Sequence, residues 1–314
     1  MGSNADILKD DIRMARLKGS SPMAIRTADA ILQDAEEAFA EGSFRNQLKD
    51  MIQQLGVDII ASRPSNVTLR NSVKNTLYKL EKVDDSDDAR VLEVVRGNVA
   101  AFKETVNTSA QKIALLGANI INDGDLILTC SYSAMVKGIL DMAYNQFGKH
   151  FRVIVTETRP RYQGMKMANE LIELGIPTTV IVDSAVRLFM KKIDLVLVGA
   201  DTVSSDGSVI SKIGTSLIAL AAQEARVPLY VATPTFKFSE DTLSGVMVDI
   251  EQRKPGEITG GTVLEYVEDI NLTVENPAFD ATPPEYVRGL ITELYIMSPY
   301  SVGEYLARLS GVID

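Results

Sequence analysis

The hydrophobic period of this chain changes once, just after Asp123-Gly124-Asp125, and that change restricts the fold more than any other feature of the sequence. Beyond it come short apolar runs rich in Val, Ile and Leu: LILT at 126–129, VIVT at 153–156, TVIV at 179–182, LVLV at 195–198, LYVA at 229–232 and NLTV at 271–274. Continuous runs of this length suit strands buried on both faces. The stretches 134–146, 165–174 and 215–225 between them have helical length and period. Strand alternating with helix builds a parallel, doubly wound sheet. Before the change, apolar residues recur at spacings of three and four, as in Ala24, Ala28, Ile31 and Leu32 and again in Met51, Leu55 and Ile59. The chain is therefore expected to be α/β, with a helical N-terminal domain over 1–116 and a Rossmann-like parallel-sheet domain over 117–314.

Composition removes several classes of function. No apolar run approaches the roughly 20 residues that span a bilayer, so no membrane crossing is expected. The opening MGSNADILKDD has neither the basic nor the apolar region of a secretory signal, and a cytoplasmic location is expected. A formal net charge of -10 argues against a non-specific grip on nucleic acid, although a local basic pocket stays open. With one cysteine and one histidine, neither an internal disulfide nor a dedicated His/Cys zinc site can form. Phosphate-loop and dinucleotide fingerprints are absent from the sequence.

Ligands of open parallel sheets bind at the carboxyl ends of the strands, so the residues just after each run are the candidates. They are Cys130-Ser131-Tyr132-Ser133, Glu157-Thr158-Arg159-Pro160, Asp183-Ser184, Gly199-Ala200-Asp201, Thr233 with Lys237, and Asn276. Cys130 precedes an expected helix N-terminus, whose dipole and free amides favour a thiolate that would serve as base or nucleophile. Packing as a small hydrophobe is the competing role. Asp201 follows an apolar lead, Val196-Leu197-Val198, that would partly desolvate it and raise its pKa toward that of a general acid; a turn or cap aspartate is the alternative. Ser211-Lys212 opens the helix at 215, where an ammonium beside free amides makes a phosphate site. Arg63 and Arg159, each before a proline, add cations on stiffened loops. Tyr132 and Ser133 complete the set expected to face a ligand.

At these residues the chain resembles the family that unites the regulatory α, β and δ subunits of translation initiation factor 2B with methylthioribose-1-phosphate isomerase and archaeal ribose-1,5-bisphosphate isomerase. The resemblance runs nearly the whole length. It is carried by Val155-Thr156-Glu157-Thr158-Arg159-Pro160 with Gln163-Gly164, by Val182-Asp183-Ser184-Ala185-Val186-Arg187, by Val198-Gly199-Ala200-Asp201 through Lys212-Ile213-Gly214-Thr215, and by Asn276-Pro277-Ala278-Phe279-Asp280 with Thr282-Pro283-Pro284-Glu285. The last block is similar to the isomerase branch.

In that branch the cysteine matching Cys130 accepts a proton and the aspartate matching Asp201 donates one, whereas regulatory subunits generally lack the pair. The resemblance therefore implies an aldose–ketose isomerase that needs no metal or cofactor, with ribose 1,5-bisphosphate as first substrate. Methylthioribose 1-phosphate turnover and regulatory binding of a nucleotide or sugar phosphate are the alternatives. It further implies phosphate contacts at Arg63, Lys212 and Lys237, a homodimer or larger homo-oligomer, and room for a nucleotide effector. Two departures stand out. Lys18-Gly19-Ser20-Ser21 replaces the isomerases' Arg-Gly-Ala loop, and Ser131-Tyr132-Ser133 replaces the His-Ser that follows the cysteine in the bisphosphate enzymes.

Overall fold

The computed structural model describes residues 3–14, 16, 19–259 and 273–311. The chain divides into two units, Met1–Ser109 and Ala110–Asp314. The division falls within one long helix, Asp88–Ala118.

The first unit is helical: α1 (Asn4–Arg13), α2 (Ser20–Glu41), α3 (Leu48–Ser62), α4 (Val67–Thr76) and α5 (Asp88–Ala118). The stripe at three-and-four spacing is its core, since Ala24, Ala28, Ile31 and Ala35 of α2 are all fully buried. Burying an isoleucine such as Ile31 is worth about 1.5–3 kcal/mol. Gly42, at φ 66° in the left-handed region, ends α2 as a side-chain-bearing residue would not readily do. Among the described residues no strand precedes Leu126.

The second unit alternates strand and helix. Its elements are β1 (Leu126–Cys130), α6 (Ala134–Asp141) running on through a π-helical turn to Gln146, β2 (Arg152–Thr156), α7 (Gln163–Glu173), β3 (Thr178–Ile181), α8 (Val186–Met190) and β4 (Leu195–Gly199). There follow β5 (Thr202–Val203), β6 (Val209–Lys212), α9 (Thr215–Ala225), β7 (Leu229–Ala232), α10 (Gly256–Thr259), β8 (Phe279–Thr282), β9 (Gly289–Ile291), β10 (Ile296–Met297) and α11 (Val302–Leu309). The seven-stranded sheet has the order β10-β9-β7-β4-β1-β2-β3. All its pairings are parallel except that of β10 with β9.

Residues of period two divide between two cores. Leu128, Ile154, Val196 and Val198 face one, with Ile218 of α9 and Leu306 of α11; Ile127, Val153, Val155, Leu195 and Leu197 face the other, with Ile139 of α6 and Leu171 of α7. Burial on both faces is why these strands read as unbroken apolar runs. The packing is close where helix meets sheet: a Cβ on Gly164 would lie 1.7 Å from the Thr156 carbonyl oxygen, so only glycine lets α7 start against β2.

Two features depart from the expectation. Of the run at 271–274, Asn271 and Leu272 lie outside the described residues, and Thr273 and Val274 form no strand; the sixth parallel strand is β9. A small antiparallel sheet, β5-β6-β8, also stands beside the main one. Asp206-Gly207 makes the turn between β5 and β6, with Gly207 at φ 86°. Among the described residues no helix is long and apolar enough to cross a membrane.

Candidate active site

The chain winds outward from β1 through β2 to β3, then returns to place β4 on the other side of β1. Such a reversal opens a crevice at the strands' carboxyl ends, the usual ligand site of doubly wound sheets. Cys130 is the last residue of β1, and Asp201 stands two residues beyond the end of β4, so the two expected residues flank this crevice. The loops that carry them are in contact. A Cβ on Gly199 would lie 2.5 Å from Ser133 Oγ, and Ser133 caps α6 by accepting the Val136 N–H at 3.3 Å.

Cys130 is 6% exposed. Its Sγ lies 3.8 Å from Thr158 Oγ1, which also accepts the Ser131 N–H at 2.9 Å. Thr158 holds φ 61°, a costly conformation for a β-branched residue. The Asp183 carboxylate fixes it there by accepting the backbone N–H groups of Thr158 and Arg159. Burial pushes the Cys130 thiol up; the hydroxyls of Thr156 and Thr158 only partly offset this, and the charges of Asp183 and Asp280 add to it. Burial therefore opposes the thiolate that the helix terminus was expected to favour. The α6 terminus is already capped by Ser133, and desolvation dominates at a sulfur this deeply placed.

The lead Val196-Leu197-Val198 is buried, but Asp201 lies past the strand end and is exposed, where partial burial was expected. Its backbone N–H donates to Ile210 O at 2.9 Å, which ties it to β6. Lys237, 7% exposed, donates from Nζ to Ala200 O at 2.7 Å; burial lowers its pKa while Asp201 pulls it back. Ser211 of β6 donates its hydroxyl to Gly199 O at 2.8 Å, so it braces the end of β4.

Lys212 ends β6 with its ammonium 4.8 Å from the Phe279 ring centroid. Burial lowers its pKa most; Asp201 and Cys130 act to raise it, and Arg253 and Arg161 act to lower it further. Two amides at the start of the helix behind it are already engaged. The Asp280 carboxylate accepts the Gly214 N–H at 2.7 Å and the Ser216 N–H at 3.2 Å, taking up the amides that were expected to be free at the start of α9.

Other expected residues are engaged differently. The Tyr132 hydroxyl donates to Glu170 at 3.1 Å and its ring carries the Lys166 ammonium at 3.7 Å, so its partners lie on α7. The Arg159 guanidinium donates to the Tyr162 hydroxyl at 2.5 Å and to Ile258 O at 2.9 Å. Arg63 follows α3, and Gly19 at φ 95° leads into Ser20 and Ser21 at the start of α2, all in the helical unit. Lys18 lies outside the described residues. Thr158 and Asp183 were among the strand-end candidates, whereas Arg161, Arg253 and Asp280 were not. Arg161 follows the Arg159-Pro160 turn, which was the available signal for it.

A thiol and a carboxylate flank the switch point of a doubly wound sheet, with buried Lys237 and half-buried Lys212 beside the carboxylate, an arrangement able to hold an anion and to move protons. The chain belongs to the Initiation factor 2 subunit family, whose model matches residues 16–299. It is 37% identical over 307 residues to ribose 1,5-bisphosphate isomerase of Pyrococcus furiosus, covering 97% of this chain and 93% of that one. It is 36% identical over 321 residues to the protein of the same name from Methanocaldococcus jannaschii, covering 99% and 98%. Among solved structures it is similar to translation initiation factor eIF-2B of Pyrococcus horikoshii OT3, with a TM-score of 0.76, 31% identity, and coverage of 95% of this chain and 98% of that one.

Proposed function

We propose that the chain is an aldose–ketose isomerase that converts ribose 1,5-bisphosphate to ribulose 1,5-bisphosphate. The observation that carries this reading is the placement of Cys130 and Asp201 on the two sides of the switch-point crevice. The names of the Pyrococcus furiosus and Methanocaldococcus jannaschii relatives support the substrate.

A phosphate on the anomeric oxygen prevents ring opening through a free aldehyde, so the reaction needs an acid at the ring oxygen and a base at C2. Asp201 gives its proton to the ring oxygen as the bond from that oxygen to C1 breaks, and the Cys130 thiolate removes the C2 proton. The electron pair of the C2–H bond forms the C1=C2 bond of an enol phosphate. The Cys130 thiol then returns its proton to C1 while the Asp201 carboxylate takes the 2-hydroxyl proton. The product is the 2-ketone, and both groups recover their starting states. The pair thus works while holding one proton. Burial raises the thiol's pKa and so opposes the thiolate that the first step needs.

Lys212 and Lys237, both lysines with lowered pKa values, set a positive field beside Asp201 that suits a ligand of high negative charge. Exposed Leu188, Leu217 and Leu220 support a homo-oligomer as the working form. The test is a turnover screen of ribose 1,5-bisphosphate, methylthioribose 1-phosphate and nucleoside monophosphates with the full chain. Preferred conversion of the bisphosphate is expected. Equal or better conversion of the thioether sugar would refute the substrate, and binding without turnover would put regulatory binding in its place.

A further inference from the structure

The peptide group between Ala200 and Asp201 is held at both of its ends. Lys237 Nζ donates to its carbonyl oxygen at 2.7 Å, and its N–H, which belongs to Asp201, donates to Ile210 O at 2.9 Å. A peptide group is planar, so contacts on opposite ends fix its rotation, and with it the direction in which Asp201 leaves the end of β4. The contact with Ile210 is backbone pairing to β6. The contact with Lys237 is unusual, because that side chain is 7% exposed and a buried ammonium persists only where the surrounding structure holds it.

The hold comes from the turn that carries the lysine. Lys237 closes a single 3-10 turn, Thr235–Lys237, just after β7. Its own N–H donates to Pro234 O at 3.1 Å, and the Phe238 N–H donates to Thr235 O at 2.9 Å. Phe238 is 2% exposed and packs edge-on against Tyr305 of α11, with ring centroids 5.7 Å apart. So short a turn has little cooperativity of its own. Its first residue is fixed instead by a carboxylate 58 residues further along the chain. Glu293 accepts the Thr235 N–H on its two oxygens at 3.2 and 3.0 Å, and the Thr235 hydroxyl donates to it as well. Glu293 lies between β9 and β10, where the Thr292 hydroxyl donates to Tyr295 O at 2.7 Å and accepts the Leu294 N–H at 3.2 Å. Hydrogen bonds to a charged acceptor are the strong ones.

We infer that Glu293 is a positioning residue for Asp201, acting through Thr235 and Lys237. The contacts run from the Glu293 carboxylate to Thr235, along one turn to the Lys237 ammonium, and from there to the Ala200 carbonyl and Asp201. The inference rests on the isomerase reading for what Asp201 does at the ring oxygen, but not for how Asp201 is held. An acid must meet its target atom at hydrogen-bond distance, and a small misplacement costs rate without weakening the grip on the rest of the ligand.

Two measurements on the full chain test it: turnover of ribose 1,5-bisphosphate and hydrogen exchange at the Asp201 amide. They compare wild type with Glu293→Ala, Glu293→Gln, Lys237→Met and the double variant Glu293→Ala with Lys237→Met. Glu293→Ala should lower kcat by about tenfold or more with KM within about threefold, and should speed Asp201 exchange by about tenfold. Glu293→Gln keeps an oxygen for the Thr235 N–H and should recover most of both. In the double variant Glu293→Ala should add less than about twofold to Lys237→Met, because the two residues act along one line of contacts. A role in stability alone would not give that overlap. If Glu293→Ala does not fold, Thr235→Val tests the same link: kcat should fall about threefold, and Thr235→Ser should stay at the wild-type rate. Wild-type kcat and exchange in Glu293→Ala, or in Thr235→Val where that variant stands in, would overturn the inference, as would full multiplication of the two effects in the double variant. If wild type turns over no bisphosphate but Glu293→Ala and Lys237→Met both speed Asp201 exchange and overlap in the double variant, the positioning stands and the isomerase reading falls.

Discussion

The Asp183 carboxylate accepts the backbone N–H of Thr158 at 2.8 Å and, through its other oxygen, that of Arg159 at 2.7 Å, so the end of β3 sets the shape of the loop after β2. Thr158 in turn faces Cys130. Asp183→Asn keeps one acceptor and loses the charge, and should cost about 1.5–3 kcal/mol of stability, the worth of a hydrogen bond to a charged group. Relaxation of Thr158 from φ 61° should also change the alkylation rate of Cys130. Denaturant unfolding and iodoacetamide kinetics check both. Wild-type stability together with a wild-type alkylation rate would show that the clamp holds nothing.

The pH dependence follows from the raised thiol. An isomerase that works with one proton shared by Cys130 and Asp201 loses activity on the alkaline side only when the thiol titrates, above its ordinary 9.0. The Thr158 hydroxyl acts to lower that pKa. Thr158→Val should therefore move the alkaline limb of kcat/KM to higher pH, and Thr158→Ser should restore it. The sign for stability is the same. The folded state holds the thiol proton more tightly than the unfolded chain, so this contribution is fully present below about pH 9 and is lost as pH rises through the folded pKa. Cys130→Ala should flatten that alkaline decline in unfolding free energy, and a decline that persists unchanged would assign it to other groups.

Lys212 carries a charge where burial opposes it. Its folded pKa lies below the unfolded 10.5, so the penalty is present at neutral pH and fades as pH rises toward that value. Lys212→Met should accordingly leave stability unchanged or raise it by about 1 kcal/mol while abolishing turnover, the trade expected where a strained charge serves function. A loss of stability would mean that its ammonium mainly supports the fold.

The fold and the position of the candidate crevice were legible in the sequence for a common reason. β1, β2, β4 and β7 are buried on both faces, so Val, Ile and Leu mark them, and the residue types just past their ends mark the crevice. β9 is only Gly289-Leu290-Ile291, too short for a pattern, and β6 finds its partner β8 far along the chain. The same distance hid Asp280, whose carboxylate accepts the Gly214 N–H at the start of α9 from 66 residues further along. Arg253 gave no signal because its place comes from backbone pairing with Asn276, and that of Glu251 with Ala278, rather than from its neighbours in sequence. The burial that opposes a Cys130 thiolate was not legible, since a helix terminus can be read from spacing whereas depth of burial cannot.

The most direct test of the catalytic assignment is the formation of ribulose 1,5-bisphosphate from ribose 1,5-bisphosphate by wild type, Cys130→Ser and Asp201→Asn, each with phosphate binding measured on the same preparation. Serine nearly matches cysteine in shape but holds its proton far more tightly, and asparagine cannot donate an acid proton. Product from wild type, with a loss of about a thousandfold or more in each variant and phosphate binding retained, is the predicted result. No product from wild type, or a variant that keeps more than about a tenth of its rate, would contradict the roles given to Cys130 and Asp201.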